Sequence, residues 1–154
     1  MKGDPMKMRM NFLVGNSLVF FLLLAAAALN VNADIHVWTN SPSESAPYAT
    51  WDTAAHDINT AVNYANTNAP ATVLVTNGIY VLSSQIEVTN AVTVVSVNGQ
   101  SVTTVDGNGS VRCFCLSHSN AVVDGFTITN GYNTTLDYGR AGGVYCNQGG
   151  TVQN

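Results

Sequence analysis

The chain has 154 residues, 9% of them charged, and a formal net charge of −4; this length allows one domain. Lys2, Lys7 and Arg9 precede the first apolar run, leaving Arg112 and Arg140 against eight carboxylates beyond residue 33, a balance that argues against nucleic acid as a partner. The 13 glycines, with many Asn, Thr, Ser and Val, favour strands and turns over helices, and three cysteines argue against a cysteine-stapled miniprotein.

The opening MKGDPMKMRM is basic and is followed by NFLVGNSLVFFLLLAAAA, strongest from Leu18 to Leu29. Charge followed by a short apolar run is the order of a secretory signal, and Val31-Asn32-Ala33 offers small residues for cleavage after Ala33. The competing reading is an uncleaved anchor, because residues 12–29 come close to bilayer-spanning length despite Asn16 and Ser17. Cleavage is the reading adopted, which makes the protein secreted or cell-surface, with a membrane link only through residues 1–33 if they stay attached.

Between Asp52 and Ala65 the pattern DTAAHDINTAVNYA sets Ala54, Ile58, Ala61, Val62 and Ala65 on one helical face, with His56, Asn59 and Asn63 mostly outside it. A short amphipathic helix is expected over 52–65, with Asp52 or Thr53 as its N-cap. From Ala71 the period changes to two: TVLVTNGIYVL, QIEVTN, AVTVVSVNG, VTTVDGNG, VRCFCLS, AVVDGFTITNG and GGVYCN read as strands closed by Asn, Gly or Ser. Val-Asp-Gly at 105–107 recurs at 123–125, and Thr-Asn-Gly stands at 76–78 and 129–131; these are echoes of an imperfect repeat.

Short strands without intervening helices leave a sandwich, a barrel or a solenoid. Strands that mix small polar with apolar residues and turn on single Asn or Gly favour the solenoid, whose first coil needs a cover that the helix at 52–65 would supply. On HVWTNSPSESAPYATWDTAAHDINTAVNYA, TVLVTNGIY, TVDGNG, AVVDGFTITNG and GGVYCNQGGTVQN the chain resembles the N-terminal portion of the secreted right-handed parallel β-helix proteins, the pectate-lyase-like group. The expected fold is thus all-β: a signal peptide (1–33), an opening strand and capping helix (34–70), and the first coils of a parallel β-helix (71–154) cut short at the C-terminus.

The group resembled includes polysaccharide lyases, glycoside hydrolases and non-enzymatic surface proteins, so its fold alone does not choose an activity. A lyase needs Ca²⁺ on several carboxylates and a basic side chain to take a proton, for which Asp106, Asp124 and Arg112 or Arg140 are the candidates. If the spacing of the two Val-Asp-Gly copies is one coil, the two aspartates stack about 5 Å apart, a spacing closer to a retaining than an inverting glycosidase pair. Against this, Asp before Gly is an ordinary turn residue and two aspartates are too few for Ca²⁺.

His36, His56 and His118 lack a zinc-like spacing. Cys113 and Cys115, two apart in a strand, share a face and do not readily bond to each other, leaving burial or a Cys115–Cys146 disulfide. Trp38, Tyr48 and Trp51 gather near the helix with Tyr64 and Tyr80, as junction filling or as a sugar-stacking platform. Asn108 and Asn133 match a glycosylation pattern that chance also produces in so Asn- and Thr-rich a chain. The leading expectation is a protein that binds a polysaccharide or cell-surface glycan through an Asn- and Thr-rich face, with no cofactor and no catalytic residue in this segment. The alternative is the front of a lyase or hydrolase whose working coils lie beyond Asn154.

Overall fold

The computed structural model describes residues 33–133 and 141–154. Residues 1–32 of the expected signal segment and Arg140 lie outside the described residues, whereas Ala33 opens the first strand. Strand β1 (Ala33–Val37) is followed by a 3-10 turn (Trp51–Thr53) and one α-helix, α1 (Ile58–Thr67). Then come β2 (Ala71–Val75), β3 (Gly78–Val81), β4 (Ile86–Val88), β5 (Val92–Ser96), β6 (Thr103–Asp106) and β7 (Phe114–Leu116). The remaining strands are β8 (Val122–Asp124), β9 (Thr127–Thr129), β10 (Val144–Cys146) and β11 (Thr151–Gln153). No helix among the described residues is long and apolar enough to cross a membrane.

The strands form three parallel sheets, ordered β1-β2-β5-β8-β11, β3-β6-β9 and β4-β7-β10. From β2 onward the chain visits the first, second and third sheet in turn and then returns to the first. Its circuits run from Ala71 to Val92, from Thr93 to Val122 and from Val122 to Thr151, the first being shorter than the two that follow. Every circuit is longer than the interval between the two Val-Asp-Gly copies, so that interval is not the length of a circuit. One copy of the tripeptide closes β6 in the second sheet and the other closes β8 in the first, and the echo marks similar turns at different corners.

Alternation within each strand sends one set of side chains inward. In the first sheet Ile35, Val73, Val94 and Val123 stand side by side in register, each 0–1% exposed. They join Tyr80 and Val105 of the second sheet and Ile86, Phe114, Val88 and Leu116 of the third in one core. Each fully buried aliphatic side chain contributes about 1.5–3 kcal/mol, and β-branched residues suit this stacking. The polar inward pair is matched: the Ser96 hydroxyl donates to Thr103 Oγ1 at 2.7 Å and accepts from Gly99 N–H at 3.0 Å. Corners are tight. A Cβ on Gly107 would come within 2.5 Å of the Val111 carbonyl oxygen and 2.7 Å of that of Asn130, so that corner needs glycine.

The helix begins at Ile58 rather than Asp52. Thr50 and Thr53 close a capping box around the 3-10 turn, with the Thr53 N–H donating to Thr50 Oγ1 at 3.3 Å. The next residues are drawn into pairing with β1: Ala55 N–H donates to His36 O, and Trp38 N–H to Ala55 O, both at 2.9 Å. Only after that bridge is the backbone free to turn, and Asp57 caps it by accepting from Thr60 N–H at 2.8 Å. The expected apolar face holds for Ile58, Ala61, Val62 and Ala65, all 0–1% exposed, whereas Ala54, equally buried, ends the 3-10 turn outside the helix.

Helix α1 packs against β1, β2, β4 and β5, and two of its polar residues complete the edge of β4. Asn66 Nδ2 donates to Glu87 O at 2.8 Å while its Oδ1 accepts from Thr89 N–H at 3.0 Å. Two turns earlier, Asn59 Nδ2 donates to Ser84 O at 3.1 Å. These amides do for β4 what a neighbouring strand's peptide groups would do.

Candidate functional site

The outer face of the first sheet carries two straight rows of side chains. One runs Asp34, Thr72, Thr93, Val122, Thr151, and the other His36, Leu74, Val95, Asp124, Gln153. Neighbours within a row are about 4.8 Å apart, and the rows lie two residues apart along each strand. The result is a lattice of hydroxyl, carboxylate and aliphatic groups. The middle members, Thr72, Leu74, Thr93, Val95, Val122 and Asp124, are half-buried against one another.

At the β1 margin an aromatic ring adjoins this lattice. The Trp51 ring meets His36 edge to face, with centroids 4.4 Å apart and planes at 80°, and Trp51 remains 36% exposed. The His36 ring is held in turn, because its Nδ1 donates to the Tyr48 carbonyl at 3.0 Å. Of the three aromatics expected to gather here, only Trp51 has its ring on the His36 side chain. Tyr48 contributes its carbonyl but turns its ring to Tyr64, 5.6 Å away at 87°, and packs on the core. Trp38 follows β1 half-buried, its N–H committed to Ala55.

Asp106 and Asp124 are not stacked. Asp106 lies on β6 in register with Val81 and Thr129, whereas Asp124 lies on β8 between Val95 and Gln153, so the expected close pair does not form. Asp106 Oδ1 accepts from Asn108 N–H at 2.8 Å and from Asn130 Nδ2 at 3.0 Å, an Asx turn tied to the next corner. Asp124 Oδ2 accepts from Gln153 Nε2 at 3.0 Å. Among the described residues no three His, Cys, Asp or Glu side chains converge as a metal site would require.

Arg112, the candidate proton acceptor, is engaged on the outer side of the third sheet. Its Nε donates to Ala141 O at 2.8 Å and its Nη1 to Gln85 Oε1 at 3.1 Å, and its guanidinium lies 5.0 Å from the centre of the Tyr145 ring. Gln85 Nε2 donates to Glu87 Oε1 at 2.6 Å, extending the chain of contacts.

All three cysteines are free thiols. Cys115 stands opposite Tyr145, and Cys146 opposite Leu116. Successive strand residues point to opposite faces, so Cys115 and Cys146 are turned apart and the expected disulfide is not made. The shared face expected for Cys113 and Cys115 also fails, because β7 begins at Phe114 and Cys113 occupies the corner before it, inside the core. Burial pushes the Cys113 thiol above its ordinary range. The Gly107 backbone hydrogen bond pulls against that shift, and the Asp106 charge adds to it.

His56 and His118 have structural partners. His56 bonds Ser41 O through Nε2 at 3.0 Å and pairs with Glu44 through Nδ1 at 3.1 Å, while His118 Nδ1 accepts from Asn120 N–H at 3.1 Å. The two-row lattice is the feature that sequence reasoning misses. Its signal is Thr-Val-Leu at 72–74 echoed by Thr-Val-Val at 93–95, the two triplets that stand in register.

Compared with known proteins, the chain matches no family model, no curated protein and no solved structure.

Proposed function

We propose that the chain is a secreted or cell-surface protein built as a right-handed parallel β-helix, and that the outer face of its first sheet binds a polysaccharide. The observation that carries the reading is the in-register lattice of threonine hydroxyls and aliphatic side chains running from Trp51 and His36. A sugar chain presents alternating hydroxyl edges and apolar C–H faces along its length. A flat array of donors, acceptors and aliphatic groups with an aromatic margin complements both.

The winding through three parallel sheets supports the β-helix, and parallel crossover connections are right-handed in nearly all proteins. The pectate-lyase-like resemblance belongs to the same reading. Export rests on the basic start, the apolar run and Val31-Asn32-Ala33.

The test is affinity electrophoresis of the purified protein through gels containing pectin, xylan, mixed-linkage β-glucan or no glycan. The expected result is retardation by at least one polymer, weakened about tenfold by Trp51→Ala, the effect of losing one stacked aromatic. Unchanged mobility in every gel, or retardation indifferent to Trp51, would overturn the reading.

A further inference from the structure

The three sheets are finished differently where the winding begins. Beside the first, β1 is closed by backbone bonds: His36 N–H donates to Tyr48 O, and Ala55 N–H to His36 O, both at 2.9 Å. Beside the third, β4 is closed by Asn59 and Asn66 of α1. In the second sheet, β3 pairs with β6, and no other described segment pairs with it.

Gly78 N–H donates to Val102 O at 3.0 Å and Leu82 N–H to Asp106 O at 2.8 Å. In a parallel ladder alternate residues bond to the same neighbour, so positions 78, 80 and 82 serve β6. The N–H and C=O of Ile79 and Val81 then face the other way. Their side chains stand on the outer face, 69% and 60% exposed, the highest values among the exposed large hydrophobics.

A groove of about 260 Å³ follows this edge. One wall is the run of residues 79–84, and the other is Thr39 with residues 56–59.

We infer that the open edge of β3 accepts an extended polypeptide strand that is apolar at alternate positions and carries lysine or arginine beside them. The unused peptide groups of Ile79 and Val81 supply the pairing, as in strand addition to other sheet edges. A glycan has no regular row of N–H and C=O groups to complete such a ladder. The charge follows from the surroundings: Asp57 lines the groove, Glu44 pairs with His56 on its wall, Asp106 is in register with Val81, and among the described residues no lysine or arginine lines it. This inference is independent of the glycan-binding face.

The probe is the peptide Lys-Val-Thr-Val-Thr-Val-Lys-amide, carrying fluorescein on its N-terminal amine, titrated with the full 154-residue protein and followed by anisotropy. Binding is expected to weaken at least about tenfold when alternate peptide nitrogens are methylated, when both lysines are replaced by glutamate, or in Val81→Pro, each removing pairing or charge worth a hydrogen bond or more. Val81→Pro deletes only the outward N–H, a position where edge strands tolerate proline. Val81→Lys, which opposes a basic strand by charge, is the second variant should the proline disturb folding by circular dichroism.

Equal affinity for methylated and unmethylated peptides would overturn the inference, as would no binding at about 1 mM, a dissociation constant worth only some 4 kcal/mol. So would a concentration-dependent dimer in sedimentation that Val81→Lys abolishes, since the edge would then belong to a second copy.

Discussion

Along the edge of β4, Asn66 and Asn59 of α1 take up Glu87 O, Thr89 N–H and Ser84 O. Along the edge of β3, no described side chain does the same for Ile79 and Val81, whose apolar side chains stand in solvent. Both strands are short and parallel, and both mark the first appearance of their sheet. The difference lies in what precedes them. A ten-residue helix can lie along only one edge, and Asn at positions 59 and 66, two helical turns apart, assigns it to β4. An edge closed by side chains contributes to stability, whereas an edge left open is available for binding.

The largest expected effect is at the joint between helix and sheets. Ile58 is 1% exposed at the first turn of α1, and Ile58→Ala removes the side chain that seats the helix. Loss of about 2–5 kcal/mol is expected in urea denaturation, the range for truncating a buried isoleucine. A loss below about 1 kcal/mol, the scale of a surface change, would mean that the helix rests on β4 without stabilising it.

Next is the closure itself. Asn66→Ala leaves Glu87 O and Thr89 N–H to water in place of their side-chain partner, at a cost of about 0.5–1.5 kcal/mol, the net worth of a hydrogen bond at an exposed position. The local reading is sharper than the global one: the Thr89 amide should exchange with solvent faster in the variant while the Val94 amide in β5 keeps its protection. Equal acceleration at both would show general unfolding instead of an opened edge.

The helix face and the inward residues are legible in the sequence because each depends on local periodicity. Ile58, Ala61, Val62 and Ala65 are buried as their spacing implies. The helix start is not legible, because Ala55 bridges to Val37 across the whole loop after β1, and a helical pattern does not reveal that pairing. The length of a circuit through the three sheets escapes for a related reason. Asp-Gly and Asn-Gly satisfy any corner that needs a tight turn, so their recurrence follows corner chemistry, whereas the register follows Thr-Val-Leu and Thr-Val-Val in β2 and β5.

Trp51 stands out in the sequence for its aromatic ring, but its partner His36 does not, since their contact spans the same loop. The Cys115–Cys146 pairing depends on a register that sequence spacing leaves free, and one position of offset turns the thiols to opposite faces.

A smaller effect separates the two sides of β3. Tyr80 points inward, 4% exposed, with its hydroxyl donating to Thr76 O at 3.0 Å. Burial raises its phenol above the ordinary range, and the Thr76 side-chain hydrogen bond partly offsets this. A folded-state value above the unfolded one means that the stabilisation is complete below about pH 10, the unfolded phenol value, and is lost as pH rises through the folded value. Cys113 acts with the same sign at somewhat lower pH, so the informative quantity is the difference between wild type and Tyr80→Phe. At neutral pH the variant should lose about 0.5–1.5 kcal/mol for its hydrogen bond. Above about pH 10, the ordinary phenol value, its stability should fall less steeply than that of the wild type, as measured by urea denaturation at each pH. Parallel curves would place the phenol in contact with water.

On the outward side of the same strand almost nothing should change. Val81→Thr keeps the β-branch that suits a strand and exchanges a methyl for a hydroxyl at a position 60% exposed. The inward neighbours Tyr80 and Leu82 and the bond from Leu82 N–H to Asp106 O stay in place. The expected change in unfolding free energy is within about 0.5 kcal/mol, the usual size for a surface position, and the Val105 amide in β6 should exchange at its wild-type rate. A loss above about 1 kcal/mol, typical of a position with buried contacts, would mean that Val81 is covered as β4 is covered. The contrast between the two edges would then collapse, and the groove beside β3 would be part of the folded interior rather than a place for another chain.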